Sequence, residues 1–218
     1  MISLSNAVVF GWHSAIMGMR NPMNSWAKSD SAFFSDFSCK IGQNDLALMK
    51  ALIKSGAEHR KFLRMIHVQM DIEAPLYWWK EFDTYKVGTV ANSCSTMHKI
   101  HSKEFTVNDF SHEHLIDTTM LEGIIGELNI YRNIYNNYEK QSDEYKAEFP
   151  KKLIWWQMIQ LLPSSYNQLR TVDLNYEVLL NQYFQRKDHK LDEWRIYCEQ
   201  IKCFPYLNDF IEVLKNEQ

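Results

Sequence analysis

The chain has 218 residues and a formal net charge of −3 at pH 7, and 45% of its residues are hydrophobic. A chain of this length can bury roughly 70% of its unfolded surface, so it needs no disulfide or metal in order to fold. The charge excludes a strongly basic nucleic-acid binder, and the longest apolar runs are far shorter than a membrane span. No basic segment precedes an apolar core at the start, so we expect no secretory signal and a cytoplasmic protein.

The first 43 residues mix turn formers with large aromatic side chains and are predicted to be an irregular segment. A helix is predicted next, with Asn44 as its N-cap and Gly56 at its end. Residues 66–72 alternate apolar and polar side chains, the period of a strand with one buried face. Pro75 suits the first turn of a helix that follows this strand.

The second half of the chain is predicted to be mainly helical. Residues 87–90 indicate either a strand or an irregular turn. Helical stretches are predicted at 111–138, 143–162 (restarting at Pro150), 175–186, from 191 and from 205. Neither a Ser/Gly linker nor a repeat interrupts the chain, so we expect one α+β domain over residues 1–218.

The cysteine and histidine patterns carry no metal signature. The cysteines lack C-x-x-C spacing, and we interpret them as reduced thiols of a reducing compartment. They are Cys39, Cys94, Cys198 and Cys203. The eight histidines are scattered. We therefore predict no metal site.

No nucleotide-binding loop or nucleophile motif is present either. The pairs Trp78-Trp79 and Trp155-Trp156 could stack on a ring ligand, although packing anchors are the commoner role of such pairs. Residue patterns alone therefore indicate a soluble α+β domain and leave the catalytic residues unknown.

Two blocks of sequence carry a resemblance to a known family. Ala74-Pro75 ends the predicted strand, a helix follows, and residues 84–97 read T-Y-K-V-G-T-V-A-N-S-C-S-T-M. This order resembles the flavin-dependent thymidylate synthases, in which a strand ending in Ala-Pro leads through a helix to the signature Arg-His-Arg-x-x-Ser-x-Asn-Glu-x-Ser-x-Arg-Tyr. A second block agrees, because Leu162-Pro163 precedes Asn175 and a helical run to Arg186, where the family has Leu-Pro and then Asn-Ala-Arg-Ser-Leu.

The resemblance covers most of the chain from Leu46 onward and implies a fold, ligands and an assembly. The implied fold is the thymidylate-synthase-complementing type, with a mixed or antiparallel sheet and long helices. The implied cofactor is FAD, with reduced nicotinamide and folate as further reactants. The implied substrate is a pyrimidine nucleotide, and family members resemble homotetramers whose sites lie between subunits.

Site residues follow from the positions that match the family motifs. The implied flavin-binding residues are Lys86, Thr89 and Arg186. The implied pyrimidine-binding residues are Asn92, Cys94, Asn175 and Glu177. The Cys94 thiol stands where the family has Ser, and it is either a nucleophile or a packed thiol.

The chain departs from the family where nucleotide phosphate is held. Thr96 and Ile159 replace arginines, and neither side chain can form a charge-assisted contact. Each lost contact is worth roughly 1.5–3 kcal/mol, so two losses weaken a bound monophosphate by roughly two to four decades. We therefore expect an altered substrate. The alternatives are a catalytically silent homologue reused as a ligand- or protein-binding module, and an unrelated α+β domain.

Glu177 stands where the family has an arginine that faces the pyrimidine ring. An ionised carboxylate only accepts hydrogen bonds, so it would favour the amine of cytosine over the carbonyls of uracil. The alternative interpretation is that Glu177 forms an ion pair with another residue of the protein.

Overall fold

The structure, a computed structural model, describes residues 1–35 and 38–215. It is an α+β fold with an antiparallel sheet, as the sequence predicts. Its strands are β1 (Ser3–Phe10), β2 (Ala32–Phe33), β3 (Cys39–Lys40), β4 (His67–Pro75), β5 (Thr89–Ser93) and β6 (Asn167–Asn175). Its α-helices are α1 (Trp12–Arg20), α2 (Gln43–Lys54), α3 (Leu76–Phe82), α4 (Thr96–Lys99), α5 (Thr119–Asn136), α6 (Asp143–Glu148), α7 (Lys151–Leu161), α8 (Tyr176–Arg186), α9 (Asp192–Ile201) and α10 (Leu207–Lys215).

The main sheet has four strands in the order β1-β4-β6-β5, and β2 pairs with β3 in a small antiparallel ribbon. Contacts between polar side chains of β4 and β6 show which residues of the two central strands lie opposite each other. The Thr171 hydroxyl donates to Asp71 at 2.5 Å, and the His67 ring lies 2.8 Å from the Asp173 carboxylate. Residue numbers rise along β4 as they fall along β6, so the pair is antiparallel.

Backbone contacts group the chain into two compact units, and the prediction of a single domain stays a prediction. The first unit comprises Met1, Glu73–Glu81 and Ser93–Arg170. In it, α5 and α7 pack together over an apolar core. The buried members of this core are Ile100, Phe105, Phe110, Leu121, Ile125, Leu128 and Met158.

The second unit comprises Ile2–Ile72, Phe82–Asn92 and the chain from Thr171 onward. Helix α10 contacts α2, and an ion pair between Lys50 and Asp209 at 2.9 Å joins them. Among its fully buried side chains are Ile16, Met49, Leu63, Val68, Tyr176, Trp194 and Phe210.

The N-terminal segment differs from the prediction of irregular structure, because it contains β1 and α1. Gly11 joins them at φ 92°, and a Cβ atom at this position would lie 2.1 Å from the Met65 carbonyl oxygen. Most side chains of β1 are exposed, so the strand lacks the alternating burial that reveals a strand in sequence. Its pairing with β4 decides its conformation.

Strand β6 is absent from the sequence-based prediction although it lies inside the sheet. Its buried side chains include Gln168 beside Val172 and Leu174, so a polar residue breaks the apolar alternation. Helix α5 also begins at Thr119, eight residues later than predicted, because residues 111–118 form turns and bends. There the Ser111 amide donates to the Ser165 carbonyl at 2.8 Å.

The predictions around the family-like blocks are confirmed. The predicted strand over 66–72 corresponds to β4, and the predicted helix over 175–186 corresponds to α8. Residues 87–90, for which sequence allowed a strand or a turn, lead through Gly88 at φ 76° into β5. In the described residues, every helix is too short or too polar to cross a bilayer.

Candidate functional site

Asn175, one of the predicted pyrimidine-binding residues, is the N-cap of helix α8. The Asn175 side-chain oxygen accepts from the Val178 amide at 3.1 Å, and so caps the helix. Its amide nitrogen packs against Gly88, where an added Cβ atom would lie only 2.6 Å away. This contact requires glycine at position 88, which also has positive φ. Asn175 therefore has a structural role as a helix cap.

Glu177, in the first turn of α8, forms a bidentate ion pair with Arg60. The Arg60 Nη2 atom donates to Oε1 at 2.8 Å, and Nε donates to Oε2 at 3.0 Å. The two side chains are only 14% and 11% exposed, for Arg60 and Glu177 respectively. The structure thus contains the ion pair that the sequence left open as an alternative. The prediction that Glu177 contacts a pyrimidine stays a prediction.

The three residues predicted to bind flavin lie in the second unit. Lys86 and Thr89 line a cavity of about 170 Å³ together with Tyr85. Lys86 is exposed, whereas the Thr89 hydroxyl oxygen is buried and has no hydrogen-bond partner among the described residues. Arg186 donates from Nε to the Tyr85 hydroxyl at 2.9 Å, and its guanidinium lies 5.0 Å from the Trp194 ring centroid. Tyr85 therefore contacts Arg186 and also lines the cavity of Lys86 and Thr89.

This cavity fits a flavin only in part. Lys86 supplies a cation and Thr89 a hydroxyl group, both suited to a phosphate or a ring carbonyl. A cavity of 170 Å³ is smaller than the roughly 300–1,000 Å³ of sites that enclose organic ligands, so it cannot surround the flavin ring system. Further residues would have to enclose the isoalloxazine ring before Lys86, Thr89 and Arg186 could hold FAD.

Asn92 and Cys94 lie at the end of β5, and both residues are exposed. The Cys94 amide donates to the Leu169 carbonyl at 2.9 Å, and the Gln168 side chain donates to the Cys94 carbonyl at 2.8 Å. These bonds fix the Cys94 backbone to β6. Of the two interpretations of Cys94, the packed thiol is wrong, because the residue is exposed and lines a cavity.

We refer to this space as the Cys94 cavity. It has a volume of about 390 Å³ and lies wholly within the first unit. Its chemically active side chains are Glu73, Cys94, Lys99, Lys103 and Tyr166. Burial raises the pKa of the Tyr166 hydroxyl, so it remains a neutral hydrogen-bonding group. The cavity is large enough for an organic ligand.

Sequence reasoning missed Arg60, Glu73, Lys99 and Lys103. A spacing of four residues relates the two lysines, and Glu73 lies on the polar face of the predicted strand over 66–72, one residue beyond its end. These signals were visible, but ordinary surface residues show them too. Within residues 1–35 and 38–215, no three His, Cys, Asp or Glu side chains are grouped to hold a metal.

Comparison with solved structures identifies the fold as that of the flavin-dependent thymidylate synthases. The chain is similar to thymidylate synthase X from Helicobacter pylori, crystallised with FAD and dUMP, with a TM-score of 0.66 over 98% of both chains and 13% identity. A second structure of the Helicobacter pylori enzyme, also complexed with FAD and dUMP, gives a TM-score of 0.63 over 96% of both chains and 14% identity. No protein-family model matches the chain, and no curated protein sequence matches it. Likeness at this identity shows the fold.

Proposed function

We propose that this chain is a divergent flavin-dependent thymidylate-synthase-like protein. It would alkylate C5 of a pyrimidine nucleotide that differs from the substrate of the family. The observation that carries the proposal is the likeness in fold over 98% of the chain to an enzyme crystallised with FAD and dUMP. The motif positions give the site. By motif position, Lys86, Thr89 and Arg186 are the candidates for binding FAD, and Asn92, Cys94, Asn175 and Glu177 are the candidates for contacting the pyrimidine. Asn175 caps α8 and Glu177 is paired with Arg60, which leaves Asn92 and Cys94 exposed to a ligand.

Further reactants and the assembly belong to the same proposal. Reduced nicotinamide and a folate would supply the electrons and the one-carbon group, as the family resemblance implies. A cytoplasmic homotetramer would supply the walls that the 170 Å³ cavity lacks. Thr96 and Ile159 stand where the family has phosphate-binding arginines. Because neither side chain can hold a phosphate by charge, dUMP is the least favoured substrate.

Flavin content tests this proposal. The purified protein should be yellow, with flavin absorbance, or should become so when FAD is added. The Lys86→Ala/Arg186→Ala double variant should lose that absorbance, whereas Lys28→Ala/Arg195→Ala, a surface pair of the same charge, should keep it. A colourless wild-type protein that takes up no FAD would contradict the flavin assignment.

A second candidate is a catalytically silent homologue that binds a ligand or a partner. This candidate is favoured because two charged side chains at the motif positions already have partners within the chain and are not free to bind a ligand. Glu177 is held by Arg60, and Arg186 is held by Tyr85. Under this alternative the protein binds no flavin, and a nucleotide or a protein occupies the remaining surface.

A further inference from the structure

The Cys94 cavity has an apolar floor that suits a flat ring. Ile100 and Phe105 are buried there, and the Tyr166 ring lies 6.3 Å from the Phe105 ring in an edge-on arrangement. Aromatic walls of this kind bind planar rings by stacking and edge contacts. The 390 Å³ volume falls within the range of sites that hold small organic ligands.

One side of the cavity is built from α4 and the turn that follows it, and this side carries positive charge. Lys99 lines the cavity and has no ion pair with any described residue. Lys103 lines it as well and hydrogen-bonds to Asp109, which raises the pKa of Lys103 and keeps it charged. Ser95 and Ser102 line the cavity as well. The Ser102 hydroxyl donates to the Lys99 carbonyl at 2.7 Å, whereas the Ser95 hydroxyl accepts from the His98 amide at 3.1 Å and keeps its own proton for a ligand. Cations beside a hydroxyl donor suit a phosphate group.

Strand β4 contributes the opposite charge through Glu73. Glu73 is exposed to the cavity, and among the residues that the structure describes none hydrogen-bonds to its carboxylate. An ionised carboxylate accepts hydrogen bonds and donates none, so it pairs with an amine and repels a carbonyl oxygen. Glu177 cannot act in this way while Arg60 occupies both of its oxygens.

We propose that the Cys94 cavity binds an amino-bearing pyrimidine nucleotide, with Glu73 accepting from the ring amine and Lys99 holding the phosphate. The inference rests on the proposed function for the nucleotide class and adds the choice of base. A carboxylate accepts from the cytosine amine, and the same atoms repel the oxygen that uracil carries at that position. Deoxycytidine monophosphate should therefore bind more tightly than deoxyuridine monophosphate.

Calorimetric titration with the two nucleotides measures the base preference. The wild-type protein should bind deoxycytidine monophosphate about tenfold more tightly than deoxyuridine monophosphate. Glu73→Val should remove the preference, whereas Glu104→Val should keep it. Glu104 is a matched control because it is exposed in the same unit and does not line the cavity. Equal affinity for the two bases in the wild type, or binding of neither, overturns the inference.

The phosphate contact is tested with a second matched pair. Lys99→Gln should weaken both nucleotides about tenfold or more, since each loses a charged contact. Lys152→Gln removes an exposed charge of the first unit outside the cavity and should change neither affinity. An unchanged affinity in Lys99→Gln overturns the assignment of the phosphate.

The reactivity of the Cys94 thiol shows where the nucleotide binds, and this test needs no substitution. Saturating deoxycytidine monophosphate should slow the reaction of Cys94 with N-ethylmaleimide at least fivefold, measured by peptide mass spectrometry, and should leave exposed Cys203 unchanged. Nucleotide binding without protection of Cys94 overturns the location. Flavin absorbance, measured on the same sample, separates the two proposals, because a colourless protein that shows the cytosine preference contradicts only the flavin assignment.

Discussion

At the scale of single residues, the pairing of Glu177 with Arg60 is the largest change from what the family motif implies. The two residues are 117 positions apart in sequence and form three hydrogen-bond contacts. Without the arginine, the carboxylate at this position would be a largely buried and unpaired anion. With it, the pair fixes the first turn of α8 to the segment that precedes β4.

Arg60→Ala should lower the free energy of unfolding by about 3 kcal/mol, because it leaves a largely buried carboxylate without its partner. Glu177→Gln should also destabilise the protein. The Arg60→Met/Glu177→Met double variant should be less destabilised than the sum of its single substitutions, since no buried charge remains. Urea denaturation of the wild type, Arg60→Met, Glu177→Met and the double variant measures the coupling, and additive effects would show that the two side chains do not interact.

The four thiols should differ in reactivity for reasons of burial and charge. Burial and, second, the nearby Asp45 raise the pKa of Cys39 to about 11, and burial raises the pKa of Cys198 to about 12. A raised pKa keeps a thiol protonated, so the nucleophilic thiolate forms only at higher pH. At pH 8 in the native protein, Cys94 and Cys203 should react with N-ethylmaleimide.

Cys39 and Cys198 should react slowly at pH 8 in the native protein and readily after unfolding. Mass spectrometry of the alkylated protein counts the labels in the native and the unfolded state. Rapid labelling of Cys198 at pH 8 would contradict the described burial of this residue, whereas labelling in denaturant serves as the positive control.

At the scale of elements, the link between α3 and β5 depends on one glycine. Gly88 has φ 76°, and a Cβ atom would lie 2.6 Å from the Asn175 side chain that caps α8. The substitution Gly88→Ala therefore combines backbone strain with a clash against a helix cap. The effect should reach two elements that are far apart in sequence, β5 and α8.

We expect Gly88→Ala to destabilise the protein by about 2 kcal/mol. Gly126→Ala is the matched control, because this glycine lies inside α5 and a Cβ atom there meets nothing within 4 Å. It should stabilise the protein by about 0.5–1 kcal/mol through helix propensity. Thermal unfolding compares the two, and equal effects of the two alanines would refute the role of Gly88.

At the scale of the whole molecule, assembly stays a prediction. The first unit exposes large apolar side chains, including Ile116 at 104% and Met120 at 79%. Met120 lines a surface cavity together with Ile124 and Leu161, and exposed apolar patches commonly mark interfaces. We expect a homotetramer by light scattering at micromolar concentration, and we expect Met120→Lys to shift it to smaller species. A wild-type monomer would contradict the prediction.

The sequence by itself determined those elements whose signals are local. The alternation over 66–72 and the Ala-Pro ending predict β4 and the helix after it, and Asn175 marks the start of α8. Together with the order of the family-like blocks, these signals were enough to predict the α+β fold. Local signals suffice there because burial on one face repeats with the period of the element.

Only the tertiary structure decided the elements and contacts that depend on distant partners. Strand β6 carries buried Gln168, whose side chain donates to the Cys94 carbonyl, so its apolar pattern was incomplete. The Glu177–Arg60 pair and the Cys94 cavity likewise join segments that are far apart in the chain. Sequence cannot fix such contacts, because a charged or polar side chain has the same local pattern whether its partner is water or a residue a hundred positions away.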